Sequence, residues 1–583
     1  MNPAVGHRTD PVTYWATARA RLDGLPGGRG LNLAHEAVDR HVLHGRGDRT
    51  ALRLLARGGR RREVSYAELR EASNRFAGAL AALGVVAGDA VFVLLPRRLD
   101  LYVAVLGALK HGAVVCPLFS AFGPEPIAQR LALGHGRVLV TTAALYDRKV
   151  ATTRAALPDL RHVLLADAEA PVARTESMPA LLAAAAADYE IPATEPGQPA
   201  LLHFTSGTTG APKGAVHVHE AVVAHHATGT DVLDLHGDDV FWCTADPGWV
   251  TGTSYGIVAP LTCGVTSVVD EAEFDARRWY SILADEAVSV WYTAPTAVRM
   301  LMKAGTDLPE LHRPRPQLRL AFSVGEPLHP DAVRWGADAL GLPLRDTWWQ
   351  TETGGIMVAN DPGLVVRPGS MGRPLPGIEL AVLRCTDDGE VVLDADGRAT
   401  PLAAPDAQGV LALRPGWPSM FRGYLDDPAR YAKAFVGPPD DRWYVSGDVV
   451  RRDGDGYVWF VARADDVIKS AGHLIGPFEV EQVLTEHPDV AEAGVYGIPD
   501  PVVGAVVHAV VVPRSGVEAG DALRQRVLAH ARSRLGAAVA PRQVSFADDL
   551  PKTRSGKVMR RVLRARELGL PEGDLSTLEG ATS

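Results

Sequence analysis

"TSGTTGAPKG", residues 205–214, sets three glycines and four hydroxyl side chains into ten positions and ends on a lysine–glycine pair. The residues ahead of it, "ALLHF" (200–204), are apolar enough for a strand, and "GAVHV" (214–218) reads as another. The motif is therefore a loop joining two strands. Glycine lets backbone N–H groups come close to an anion, hydroxyls add donors, and Lys213 adds a mobile charge. This is chemistry for an oligophosphate; taken alone, the stretch also reads as a flexible hairpin turn. It is not the ordinary nucleotide loop G-x-x-x-x-G-K-[ST], because the Gly-Lys pair of this chain, Gly556–Lys557, is followed by valine.

Around that loop runs a chain of 583 residues, 46% of them hydrophobic, too long for one core and expected to divide into two or three. A net charge of −9 leaves no excess of Lys and Arg to displace counterions, which argues against a nucleic-acid partner. The four cysteines, Cys116, Cys243, Cys263 and Cys385, have no metal-ligand spacing and fit a reducing compartment. No signal-peptide core opens the sequence and no apolar run reaches 18 residues; "AGALAALGVVAG" (77–88) is punctuated by glycines and stops at Asp89. The expectation is a soluble cytoplasmic protein with no membrane partner.

From about 35 to 440, helical periods alternate with short β-branched runs, so the fold class is α/β, with helices covering sheets. "SYAELREASNRFAGALAALG" (65–84) opens with Ser65 and Glu68 in capping-box spacing, puts Leu69, Ala72, Phe76, Leu80 and Leu83 on one face, and ends at Gly84. "AVFVLL" (90–95) then reads as a buried strand. "ALLAAAAADYEIPATEPGQP" (180–199) passes from an alanine-rich helix into a subdomain connection, and 387–409 reads as β-hairpins. A charged, glycine-punctuated joint at 462–481 precedes a small α/β domain of its own: strands in "VAEAGVYGIPD" and "AVVHAVVVPRSG", and a helix in "ALRQRVLAHARSRLG".

Three rival chemistries are weighed against the phosphate loop. "GTSYG" (252–256) satisfies G-x-S-x-G, the serine-hydrolase elbow, but Pro247 and Gly248 stand where that motif needs a strand. His217, His219, His225 and His226 cluster in "HVHEAVVAHH" without cysteine or a carboxylate pair, so they are expected to be satisfied structural histidines rather than metal ligands. "RRDGDGYV" (451–458) looks like half a calcium loop, yet Tyr457 occupies the third ligand position and a hairpin turn fits better.

With "DTWWQTETGG" (346–355), "SGDVV" (446–450) and "PKTRSGK" (551–557) following in order, the chain resembles the adenylate-forming superfamily from about residue 30 to 570. "WWQTETGG" and "ADPGWVTGTSYGIVAPL" are similar to its short-acyl branch, the AMP-forming acetyl-CoA synthetases, or acetate–CoA ligases. The resemblance implies a large N-terminal AMP-binding (adenylation) domain, 1–464, of layered sheets and helices. A small mobile C-terminal domain, 465–583, would carry the adenylation lysine. It implies two steps: a carboxylate attacks the α-phosphorus of ATP to give acyl-AMP and pyrophosphate, then the thiol of coenzyme A attacks the acyl carbon and AMP leaves.

By the same resemblance, Lys557 meets the α-phosphoryl charge, a role in which a preplaced cation in a dry site lowers the barrier. Thr205, Ser206, Gly207, Thr208, Thr209, Gly210 and Lys213 hold the β- and γ-phosphates; Glu352 sits near Mg²⁺ and Thr351 beside the α-phosphate. Asp448 accepts the ribose hydroxyls with Arg463 in support, while Gly325, Glu326, Pro327 and Asp346 line the adenine. Trp349 lies across the acyl pocket, completed by Val250, Thr251 and Val324, which leaves room for about one methyl group and favours acetate. One methylene is worth about 0.8 kcal/mol, and hydrophobic pockets separate such homologues ~10- to 200-fold. Propionate, or another short acid, should then be a slower substrate.

Asp465 matches the hinge about which the C-terminal domain turns between the steps; Gly472 would line the pantetheine tunnel, and Arg532 is a candidate for the coenzyme A 3′-phosphate. Family members are often switched off by acylation of the adenylation lysine, which implies a lysine acetyltransferase and deacetylase acting on Lys557. The sequence departs from the family at Leu474, where arginine is usual, and at Ala462, where glycine is. Other readings are a nucleotide-binding but inactive relative, and an enzyme loading a separate carrier-protein thiol.

Overall fold

The computed structural model describes residues 10–170, 174–205, 212–305, 307–386, 389–463, 466, 468–470, 473–500, 504–536, 539–553, 558–572, 575 and 578. The chain divides into two compact units, 1–368 with 374–378 and 416–432, and 369–373 with 379–415 and 433–583.

The first unit is built on two mainly parallel sheets. In one, the order runs Gly423–Tyr424, Lys213–Val218, Pro199–Thr205, Val114–Pro117, Ala90–Leu94, Gly136–Thr141, His162–Leu165 and Glu176–Ser177. The other runs Val358–Ala359, Arg345–Trp348, Leu320–Ser323, Val290–Thr293, Val240–Cys243, Thr266–Asp270, Thr50–Leu55 and Arg61–Ser65. Strands covered on both faces read as unbroken apolar runs, as in Ala90–Leu94, where every residue is buried. The helix Tyr66–Ala82 starts at the expected capping box, Ser65 and Glu68 bonding each other's backbone N–H, and buries Leu69, Phe76 and Leu80. Gly84 takes a φ of 73° just past its end. Among the described residues no helix is long and apolar enough to cross a membrane.

The second unit holds an antiparallel sheet of Leu380–Leu383, Gln408–Leu413, Trp443–Arg452 and Val458–Arg463. Between Leu383 and Gln408 the expected hairpins are reduced to isolated bridges, Cys385 to Val391 and Leu393 to Ala399, because polar turns interrupt the ladder every few residues. The turn at 453–457 is a hairpin, as expected: Asp453 Oδ1 accepts from the N–H groups of Asp455 (3.0 Å) and Tyr457 (2.9 Å).

Farther along, Val490–Asp500 and Gly504–Pro513 pair antiparallel, Gln543–Phe546 adds in parallel, and helices Pro477–Thr485 and Asp521–Leu535 close a separate core around Val480, Leu484, Val495, Val511 and Val527. Phe478 packs edge-on against Phe460 at 5.7 Å, and Gly476 lies so close to the Val461 carbonyl that a Cβ would stand 2.4 Å from it.

Candidate active site

Strands Pro199–Thr205 and Lys213–Val218 pair antiparallel with Thr205 opposite Lys213, so "TSGTTGAPKG" is the connection of a hairpin. Ser206, Gly207, Thr208, Thr209 and Gly210 lie outside the described residues. At the far end of the motif, Lys213 Nζ lies 3.0 Å from Glu352 Oε1 and donates to Tyr424 Oη at 2.9 Å. Tyr424, from a strand paired beside Lys213, donates in turn to Glu352 Oε1 at 2.7 Å. Two of the sequence motifs thus meet through a tyrosine. Burial by itself would raise the Glu352 carboxyl; the Lys213 charge and the Tyr424 hydroxyl override it and hold the group below its ordinary value.

The Glu352 turn is fixed from three sides. Gly354 takes a φ of 68°, and a Cβ there would stand 2.2 Å from the Ser419 carbonyl. Trp417 Nε1 and Ser419 Oγ both donate to the Thr353 carbonyl at 2.8 Å. His225 Nε2 donates to the Gly354 carbonyl at 2.8 Å, and His217 Nδ1 donates to the Ser419 carbonyl at 3.1 Å. Burial pulls both imidazoles down to about 4, so they are neutral at physiological pH. His219 accepts from the Leu33 N–H and His226 meets Thr262, so all four histidines are buried with one ring nitrogen bonded; His217 Nε2, His219 Nε2 and His225 Nδ1 are buried without a partner among the described residues, so the rings are only partly satisfied. Thr351 is half-buried in the same turn.

Parallel strands of the second sheet bring their carboxyl ends to one edge, where ligands of α/β proteins bind. Val324 and Trp349 each lie one residue past such an end, both buried; Val250 and Thr251 open the short helix Val250–Thr253 and are partly buried. Trp349 packs edge-on against Tyr255 (5.1 Å) and donates from Nε1 to Tyr292 Oη at 3.1 Å. Glu326 is held by Thr296 Oγ1 (2.6 Å) and Arg299 Nη2 (2.8 Å), next to Gly325 at φ 96° and before Pro327. Asp346 accepts from Ser323 Oγ at 2.8 Å, and burial pushes its carboxyl up to about 7.

In the second unit Asp448 and Arg463 stand opposite each other on paired strands. Arg463 Nη1 donates to Asp448 Oδ1 at 2.8 Å and to the Ser446 carbonyl at 3.2 Å. Ala462 is buried in an apolar cluster with Val449 and Val461. Arg532 is exposed on the helix Asp521–Leu535. Lys557, Asp465, Gly472 and the side chain of Leu474 lie outside the described residues.

Sequence reasoning missed Tyr424, Tyr255, Tyr292 and Arg560. Arg560 ties Glu481 (2.6 Å) to Asp466 (3.0 Å) just beyond the Lys557 motif. Tyr255 lay inside "GTSYG", weighed only as an elbow; the structure puts that stretch in helix, with Ser254 buried and no strand immediately before it.

Glu352 suits a hard divalent cation: it is held ionised and both of its contacts fall on Oε1. Among the described residues no cluster of three or more His, Cys, Asp or Glu could hold a metal by itself, so such an ion would need substrate phosphates.

The profile of the AMP-binding enzyme family matches residues 39–425, and that of the AMP-binding enzyme C-terminal domain matches 479–557. The chain is similar to the acetyl-coenzyme A synthetase of Bacillus subtilis (strain 168), 43% identical over 97% of this chain and 95% of that one. It is also similar to that of Deinococcus radiodurans, 39% identical over 98% and 89%. Among solved structures, it resembles a Brucella canis acyl-CoA synthetase, 36% identical with a TM-score of 0.70, covering 95% of this chain and 97% of that one. An anthranilate CoA ligase in complex with anthranoyl-AMP aligns at 26% identity and a TM-score of 0.80, over 92% and 97%.

Proposed function

Because the chain belongs to the AMP-binding enzyme family, we propose that it is an acetate–CoA ligase: it joins acetate to coenzyme A through acetyl-AMP, releasing AMP and pyrophosphate. The observation that carries this reading is the 3.0 Å contact of Lys213 with Glu352, which brings the end of the glycine loop against "TETG" beside the buried Trp349.

In the first step a carboxylate oxygen of acetate bonds to the α-phosphorus as the bond to the pyrophosphate leaving group breaks. Thr205 to Gly210 and Lys213 bind the β- and γ-phosphates, and Thr351 lies beside the α-phosphate. Glu352 would hold Mg²⁺, which, when bound, neutralises phosphate charge. Asp448, steadied by Arg463, accepts the ribose hydroxyls; Gly325, Glu326, Pro327 and Asp346 line the adenine. Lys557 meets the charge that builds on the α-phosphoryl oxygens. Trp349, Val250, Thr251 and Val324 enclose the methyl group of acetate.

In the second step the thiol of coenzyme A bonds to the acyl carbon and AMP departs. Residues 465–583 turn about Asp465, withdrawing Lys557 and presenting Gly472 to the pantetheine arm and Arg532 to the 3′-phosphate. Acylation of Lys557 by a lysine acetyltransferase would erase its charge, and a deacetylase would restore it; mass spectrometry of protein from cells tests this. Four free cysteines fit the reducing cytoplasm.

The test is release of AMP and pyrophosphate by purified protein with formate, acetate, propionate, butyrate and octanoate, with and without coenzyme A. Acetate should lead and propionate follow; a maximum at butyrate or beyond overturns the acetate reading, and transfer to a carrier protein but not to coenzyme A overturns the ligase reading.

A further inference from the structure

The hydrogen bonds behind Trp349 run in only one direction. An indole N–H donates and never accepts, so at 3.1 Å Tyr292 Oη accepts from Trp349 Nε1. At the other end, Thr347 Oγ1 donates to the Ser323 carbonyl at 2.7 Å, and a carbonyl only accepts. The single Thr347 hydroxyl proton is engaged there, so in the 2.9 Å contact between Tyr292 and Thr347 the tyrosine donates. The result is a chain from Trp349 N–H through the hydroxyls of Tyr292 and Thr347 to the Ser323 carbonyl. All four residues are buried.

The position of the indole is fixed twice. Tyr255 packs edge-on against it at 5.1 Å and against Tyr292 at 5.6 Å, and Tyr255 Oη accepts from the Ile356 N–H at 2.7 Å. A wall of apolar contacts alone yields gradually to a longer substrate. Swinging this indole aside would also leave its N–H and an acceptor on Tyr292 unpaired in a dry interior, and unmade buried hydrogen bonds are the costly kind.

We propose that Tyr292 is a specificity-determining positioning residue: by accepting the Trp349 N–H it holds the indole in one orientation and so sets the length of carboxylic acid the enzyme accepts. This deepens the acyl-pocket reading of Trp349 and rests on it. Displacing a wall held by a buried hydrogen bond costs more than displacing one held by packing alone, because the bond's partners are left unpaired.

The experiment measures kcat/KM for acetate, propionate and butyrate with full-length Tyr292→Phe, Trp349→Phe, the double variant and Trp349→Gly. Tyr292→Phe should raise the butyrate-to-acetate ratio about 5- to 10-fold, the factor carried by one buried hydrogen bond, through a lower butyrate KM. The ATP KM should stay within about twofold. Trp349→Phe removes the donor from the other end, and the double variant should shift selectivity no further than the larger single effect, because both break one bond. An unchanged ratio in Tyr292→Phe beside a shifted Trp349→Gly overturns the role of Tyr292 and leaves the pocket standing. An unchanged Trp349→Gly overturns the pocket and the proposal together. If Tyr292→Phe does not fold, Trp349→Phe decides alone: a wild-type ratio overturns the proposal, a raised one supports it.

Discussion

Lys213 and Glu352, 139 positions apart in the chain, meet at 3.0 Å, with the hydroxyl of Tyr424 bonded to both. A cation suited to phosphate and a carboxylate suited to a metal thus neutralise each other at one edge of the first sheet. Phosphate binding would draw Lys213 away and release Glu352.

The pair therefore divides its effects. Lys213→Ala should raise the ATP KM, while Glu352→Gln should lower kcat by about 10²-fold, the range for losing one preplaced electrostatic group. Steady-state kinetics with varied ATP and Mg²⁺ check this; equal effects on KM and kcat in both variants would contradict the division.

The Glu352 turn should weaken in acid. His225, pulled from 6.5 to about 4 by burial, binds its proton more readily unfolded than folded, so its contribution to stability is complete above about pH 6.5 and is lost as the pH falls toward 4. His217 acts in the same sense. Asp346, raised to about 7, works the other way, so the comparison is drawn between variants rather than from the wild-type curve. His225→Gln keeps a donor for the Gly354 carbonyl but cannot titrate there. Denaturant melts from pH 7 to 4 should show wild type losing up to about 1.4 kcal/mol per pH unit relative to His225→Gln.

Much of this architecture was legible because it depends on local chemistry. Ser65 and Glu68 cap within one turn, and all-apolar runs mark doubly covered strands. Tyr292, Tyr255 and Tyr424 carried no such signal. Each earns its place through a partner 57, 94 or 72 positions away, and only folding brings them together. The hairpins at 387–409 were read from polar turns whose strands are too short to build a ladder.

Widening the acyl pocket gives another outcome. Trp349→Gly should move preference from acetate toward acids of about four to eight carbons, with each methylene gained adding about 0.8 kcal/mol of burial. A chain-length profile unchanged from wild type would remove Trp349 from the pocket wall.

The two steps should separate at Lys557. Lys557→Ala is expected to abolish acetyl-AMP formation, a loss of about 10²- to 10³-fold or more in rate, while thioester formation from supplied acetyl-AMP continues. Single-turnover assays of each half-reaction check it, and equal loss in both would deny the lysine a role confined to the first.

The most direct measurement is exchange of labelled pyrophosphate into ATP with coenzyme A left out. Formation of acetyl-AMP predicts exchange that requires acetate and proceeds without the thiol. Absence of exchange with acetate, or exchange that needs no carboxylate, would contradict an adenylate intermediate.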